Sequence, residues 1–171
     1  SLRHLQREGF RHVFVLRSVE EVDAAVMERQ PLYNDRRTEH GPFDIIGDVH
    51  GCYLELTALL ATLGYEQEEA VGEGALIGPV FRHPQDRKAV FLGDLVDRGP
   101  QILATLALVR TMVAAGNALC VPGNHDSKLL RKLRGRDVQV THGLQQSLDE
   151  LEALPVERRA SLSKELMEFL D

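Results

Sequence analysis

The chain has 171 residues, 43% hydrophobic and 27% charged, with a formal net charge of -6, a composition that fits one globular domain, or one domain plus a fragment, with a sizeable core. The negative balance argues against a protein that coats nucleic acid through a broad positive field, while leaving room for an enzyme that acts on nucleic-acid ends. No apolar run approaches the roughly 20 residues of a membrane span, the first residues carry Arg3, Arg7 and Arg11, and the two cysteines, Cys52 and Cys120, have no CxxC spacing that would suggest a zinc site or disulfide framework. A cytoplasmic protein with reduced thiols and no membrane partner is expected. The opening at Ser1, without an initiator Met, reads as a piece of a longer protein.

In chain order, His12 to Leu16 (HVFVL) has strand character, and Ser18 then begins a helix, with Glu21 completing a capping-box pattern and Val22, Ala25 and Val26 supplying an apolar stripe. Gln30 before Pro31 ends that helix. Residues 31–42, polar and bounded by prolines, fit a linker. Phe43 to Ile46 (FDII) is a strand that runs into GDVHG, and Tyr53 to Gly64 has helical spacing. Residues 65–88 read as a loop with a weak hairpin at Val80 to His83. Lys88 to Leu92 (KAVFL) is a second strand, entering GDLVDRG, and Gln101 to Ala115 is a helix with Gly116 as its C-cap. Ala118 to Val121 (ALCV) is a third strand, entering PGNHD, after which Ser127 caps a basic helix through Leu133. Gln139 to Val140 offers a further strand, and Gln145 to Leu154 and Val156 to Leu170 read as amphipathic helices. Strand, loop and helix alternate three times, which implies an α/β fold whose functional loops leave the carboxyl ends of the strands.

Those loops concentrate chemistry. Asp48 and His50 are two residues apart beyond a buried strand, so both side chains can face the same side and hold a divalent cation. Asp94 and Asp97 take the same place in the second unit, and Asn124 and His125 in the third. Two metals held roughly 3.5–4 Å apart would neutralise a phosphate ester and lower the pKa of a water. A carboxylate such as Asp94 can bridge them, and Asn124 gives a neutral oxygen ligand. Arg98 can clamp the phosphate, and His125 can protonate the leaving group with Asp97 orienting its ring.

GDVHG, GDLVDRG and GNHD, at intervals of about 45 and 30 residues, resemble the motif set of the calcineurin-like metallophosphoesterases. The resemblance implies a sheet sandwich flanked by helices, incomplete on its C-terminal side. It also implies Asp48 and His50 on a first metal, Asp94 bridging, Asn124 on a second, His125 as acid with Asp97 and Arg98 assisting, and two divalent ions, Mn2+ being common in the superfamily. ERQPLYNDRRTEHGPFDIIGDVHGC, VPGNHDSKLLRKL and VTHGLQQSL further resemble the phosphatase module of the bacterial polynucleotide kinase-phosphatases. That resemblance implies that residues 1–30 are the tail of an upstream kinase-like module, 31–42 a linker and 43–171 the front of the phosphatase, with a ligase-like module downstream. RNA or DNA 3′ ends would be the substrate, losing 3′-phosphates and 2′,3′-cyclic phosphates. A dinucleoside tetraphosphatase, a serine/threonine protein phosphatase and a non-catalytic fragment are the alternatives.

Other features read more plainly. His142 in VTHGL is either a further ligand or a structural histidine, the short spacing from GNHD favouring the second. Lys128, Arg131, Lys132, Arg134 and Arg136 fit a solvated helix face, His40 and His83 surface or loop positions, and Cys52 a small buried filler. GEGALIG at 72–78 has the wrong glycine spacing for a dinucleotide loop, and no GxxxxGK[ST] phosphate loop is present.

Overall fold

The computed structural model describes residues 13–30, 34–68 and 74–171, and the chain divides into two compact units, Ser1–Glu39 and His40–Asp171. In the first, helix α1 (Val19–Ala24) is capped by Ser18, whose Oγ accepts the Glu21 N–H. The expected continuation to Pro31 does not form, and Val13 to Leu16 are irregular rather than a strand; His12 lies outside the described residues. Phe14, Val22 and Val26 are exposed among the described residues, so the apolar stripe is not buried by them. A short helix without tertiary burial is marginal in water, and a strand needs a hydrogen-bonding neighbour.

The second unit carries a parallel sheet. Strands β1 (Phe43–Ile46), β4 (Lys88–Phe91) and β5 (Ala118–Cys120) lie in the order β1-β4-β5, with Ile45 beside Val90 and Val90 beside Leu119. A separate antiparallel hairpin pairs β2 (Glu66–Glu68) with β3 (Val80–Arg82), as the weak hairpin pattern suggested. Each parallel strand leads through a loop into a helix: α2 (Tyr53–Thr62), α3 (Ile102–Ala114) and α4 (Asn124–Leu133). Helices α5 (Leu144–Glu152) and α6 (Val156–Phe169) close the unit. Residues 139–140 form no strand.

The α/β class follows from these elements, with a parallel sheet flanked by helices. One face of the sheet turns Ile46, Ala89, Phe91 and Ala118 into a core with Leu60, Leu106, Met112, Leu129, Leu144 and Leu166. The α3 helix is the hub, touching β3, β5, α2 and α5. Its start is fixed by Glu150 of α5, whose carboxylate accepts the Ile102 and Leu103 N–H groups, the arrangement that a helix N-terminus favours. The opposite sheet face is apolar and open among the described residues, with Ile45 69% exposed and Leu92 and Val121 half exposed just past the strand ends.

At the amino end of the sheet, Asp44 is buried and accepts from Tyr65 Oη at 3.1 Å, from Arg87 Nε at 2.8 Å and from Arg87 Nη2. The Arg87 guanidinium holds the Asp44 carboxyl below the usual range, and burial, followed by the neighbouring carboxylate, pushes the Tyr65 phenol up. His83 is buried against Tyr65 and its Nδ1 accepts the Gln85 N–H, so of the surface or loop position expected it takes the loop just past β3, as a buried structural histidine. A folded pKa below the unfolded value of about 3.9 gives stability that is present above that pH and lost as pH falls through the folded pKa. Asp44→Asn is therefore expected to be less stable than the parent in urea unfolding at pH 7, with the gap closing toward pH 3. A gap unchanged at pH 3 would rule out the carboxylate charge as its source.

Candidate metal and phosphate site

The three loops meet at the carboxyl ends of β1, β4 and β5. The carbonyl of Asp94 accepts both Val49 N–H (3.2 Å) and His50 N–H (2.9 Å), and Leu95 O accepts Gly51 N–H at 2.8 Å. This stitch forces unusual backbone. His50, Asp94, Asp97 and Arg98 all have positive φ, between 47° and 71°, a conformation that costs a non-glycine residue about 1–2 kcal/mol. Four such residues in two loops mark a site where surrounding structure overrides local preference. Glycine is required where the loops touch: a Cβ on Gly99 would lie 2.0 Å from His50 O, and one on Gly123 would lie 2.1 Å from Asp94 Oδ1.

The third loop is held to the second by Asp126, fully buried, whose two oxygens accept Leu95 N–H (2.9 Å) and Gly123 N–H (2.8 Å). Burial pushes its carboxyl up, against the pull of those donors. Gly123 thereby becomes the N-cap of α4, which starts at Asn124 rather than near Ser127 as the sequence suggested. The shift places Asn124 and His125 in the first helical turn, where the His125 N–H reaches Asp94 Oδ1 at 3.0 Å.

His50, Asp94 and His125 each present a ligand atom within 4.8 Å of the others, and the two imidazoles meet edge to face with centroids 4.7 Å apart. His50 Nδ1 lies 2.7 Å from the Val96 carbonyl. Only an N–H can make that bond, so the proton sits on Nδ1 and the Nε2 lone pair is free. That Nε2 is buried without a hydrogen-bond partner among the described residues, a state that costs roughly 1–3 kcal/mol unless something occupies the lone pair. A ring fixed by a backbone carbonyl and offering its other nitrogen is the arrangement of a metal-ligating histidine, so the residues present fit a divalent cation. Asp48 is exposed, its Oδ2 3.9 Å from His50 Nε2. Asn124 is exposed at the start of α4.

His125 is buried and doubly engaged. Nδ1 is 2.7 Å from Asp97 Oδ2, and Nε2 is 3.2 Å from Arg98 Nη2. Asp97, wholly buried, is completed by Ser147 of α5. Arg98 is exposed, so its guanidinium is open to an incoming anion. The remaining candidates lie elsewhere. His142 is exposed in the turn before α5 and outside the cluster, and His40 is exposed. Cys52 is half-buried rather than fully buried, and its thiol points to His50 O at 3.7 Å. Two of the basic residues in and just after α4 have protein partners: Lys128 Nζ donates to Thr141 O and Oγ1, and Arg134 pairs with Asp171.

Two residues of this architecture escaped sequence reading. The motif GNHD gave no role to its last residue, yet Asp126 is the strut between loops. Ser147 interrupts the apolar stripe Leu144, Leu148, Leu151, and a polar residue at a core-facing helical position was the signal available.

Comparison with known proteins gives matching findings. The sequence pattern of the family described as Calcineurin-like phosphoesterase matches residues 41–167. The chain is 44% identical over 128 residues to bis(5′-nucleosyl)-tetraphosphatase PrpE [asymmetrical] of Geobacillus sp. (strain WCH70), covering 75% of this chain and 49% of that protein. It is 41% identical over 129 residues to the protein of the same description from Bacillus subtilis (strain 168), with the same coverage. A crystal structure described provisionally as a diadenosine tetraphosphatase aligns at 27% identity and TM-score 0.41, covering 71% of this chain and 41% of that one. The chain spans about half the length of the curated relatives it matches. These relatives are described as tetraphosphatases, not as the polynucleotide kinase-phosphatases that the sequence motifs suggested.

Titration with Mn2+ followed by calorimetry is expected to show binding that Asp94→Ala weakens by more than roughly 10-fold. An unchanged affinity in that variant would contradict the cluster as a cation site.

Proposed function

We propose a reaction from one premise: the chain belongs to the calcineurin-like phosphoesterase family. The reaction is metal-dependent hydrolysis of a phosphate bond, and the proposed substrate class is a dinucleoside tetraphosphate. The convergence of His50, Asp94 and His125 around an unpartnered, buried His50 Nε2 carries the metal-dependent part. The substrate class is supported by the descriptions of the relatives.

In this reading Asp48, His50, Asp94 and Asn124 hold two divalent ions, with Mn2+ as the proposed metal. When bound, such ions would neutralise the negative phosphate oxygens and activate the attacking water. The chain's own residues do the rest. Asp97 accepts the His125 Nδ1–H, which fixes the ring so that Nε2 faces the reaction and can hold the proton destined for the leaving oxygen. Arg98 donates to that same Nε2 when the nitrogen is unprotonated. Once Nε2 carries a proton the two donors repel, and Arg98 turns to the phosphate, where its fork suits two oxygens. Arg98 therefore couples arrival of the anion to protonation of His125.

The polynucleotide-repair reading, with its kinase-like and ligase-like neighbours, rests on sequence segments that the matched relatives do not speak for. The proposed setting is the cytoplasm, consistent with two free thiols; no helix among the described residues is long and apolar enough to cross a membrane.

Initial rates with Mn2+ on a diadenosine tetraphosphate, a 3′-phosphate oligonucleotide and a phosphopeptide test the proposal. Turnover is expected to be fastest on the tetraphosphate, and cleavage of the oligonucleotide alone would overturn the substrate class in favour of end repair. His125→Ala is expected to lower kcat by about 100-fold or more; a change below twofold would remove His125 from the chemistry.

A further inference from the structure

We infer that Ser147 is a positioning residue for the His125–Asp97 pair, acting from α5 through a hydroxyl that both donates to and accepts from Asp97. The inference deepens the proposed phosphoesterase reading and rests on it for its kinetic consequence, though not for the contact itself.

The geometry is specific. Ser147 Oγ donates to Asp97 Oδ1 at 2.5 Å, while the Asp97 backbone N–H donates back to the same Oγ at 3.0 Å. Asp97 is 0% exposed and Ser147 1% exposed, so no solvent competes for either group. The other carboxylate oxygen, Oδ2, is the one that holds His125 Nδ1. One oxygen is thus tied to a helix and the other to the imidazole, and rotation of the carboxylate about its bond to Cβ is blocked at both ends.

The need for such a tie follows from the backbone. Asp97 and Arg98 are both in left-handed conformation, with φ of 71° and 66°, in a loop that no regular ladder supports. A buried carboxylate with only one donor could swing its free oxygen elsewhere, and the His125 ring would follow. Ser147 anchors the loop to α5, whose Leu144 and Leu151 are sunk in the core and whose Glu150 fixes the start of α3. Just before it, Gly143 leaves room for no Cβ against the Arg98 backbone, at 2.7 Å. The start of α5 therefore buttresses the 97–98 segment at two points. A charge-assisted O–H···O bond of this length belongs to the strong class, and an error of about 1 Å in a reacting group can cost up to about 100-fold in rate.

The test compares Ser147→Ala and Ser147→Cys with the parent 171-residue chain. Cysteine keeps the volume with a weak donor, and provides a folded variant if alanine does not fold. The first readout needs no turnover: the His125 imidazole ¹⁵N and N–H resonances of the metal-free chain. The parent is expected to show one protected Nδ1–H signal. Ser147→Ala should shift and broaden it, with Ser147→Cys intermediate. The second readout is kinetics with Mn2+ and diadenosine tetraphosphate, where kcat should fall roughly 10-fold in Ser147→Ala with KM within about twofold, since Ser147 does not reach the substrate. Unchanged imidazole signals and unchanged kcat in a folded variant would overturn the inference while leaving the proposed function intact. A parent chain that binds Mn2+ but turns over no phosphate substrate, with the imidazole signals still disturbed by Ser147→Ala, would overturn the proposed function and uphold the positioning contact. Equal loss in kcat and rise in KM, with the imidazole signals unmoved, would show that the substitution acts away from the His125–Asp97 pair and would also overturn it.

Discussion

A single carbonyl oxygen organises the site. Asp94 O receives two consecutive amides, those of Val49 and His50, and so locks the loop after β1 onto the loop after β4. Backbone amides can converge in this way only if the chain turns sharply. The turn forces Asp94 and His50 into left-handed φ and brings their side chains to the same side. The strain of those residues, about 1–2 kcal/mol each, is offset by hydrogen bonds made out of water and by the core beneath, where Leu95 and Val96 are fully buried. The convergence of His50, Asp94 and His125 is therefore a consequence of backbone pairing between loops.

Around this stitch the buried carboxylates have different tasks. Asp126 binds two backbone amides and joins the third loop to the second. Asp97 spends its oxygens on Ser147 and His125. Of Asp94, Asp97 and Asp126, Asp94 alone is partly exposed, with one oxygen accepting an amide from the start of α4. Burial penalises charge, so a carboxylate meant for a cation has to keep access to it, and those meant for structure have to be saturated with donors. The division between Asp94 on one side and Asp97 and Asp126 on the other follows that rule.

Much of this was legible in the sequence because strand and motif coincide. FDII and KAVF are buried on alternate residues, and ALC at Ala118, in a parallel sheet, and each leads into a polar cluster that a core strand would not otherwise tolerate. The α/β class and the places of His50, Asp94, Asp97 and His125 followed from that. What failed failed for want of partners: HVFVL has strand composition but no neighbour to pair with among the described residues, and the helix after Ser18 loses the support that its apolar stripe predicts. The start of α4 was misplaced because Ser127 is the better cap by type, whereas Asp126 overrides it by accepting the Gly123 amide. Ser147 stands out in the sequence only as a polar residue on a core-facing stripe, and its role was hidden because its partner is 50 residues away. The substrate class was not legible for a different reason: the loops specify phosphate chemistry, and nothing in the three motifs distinguishes an ester at a polynucleotide end from an anhydride in a dinucleotide.

The central claim is that three loops preassemble a cation site around His50 Nε2 and Asp94. Anomalous diffraction at the manganese edge from crystals of the chain grown with Mn2+ tests it most directly. The account predicts a peak within ligand distance of His50 Nε2 and the Asp94 carboxylate, with the His50 Nδ1 contact to Val96 O unchanged. No peak there, or one confined to the exposed carboxylates of the surface, would contradict it.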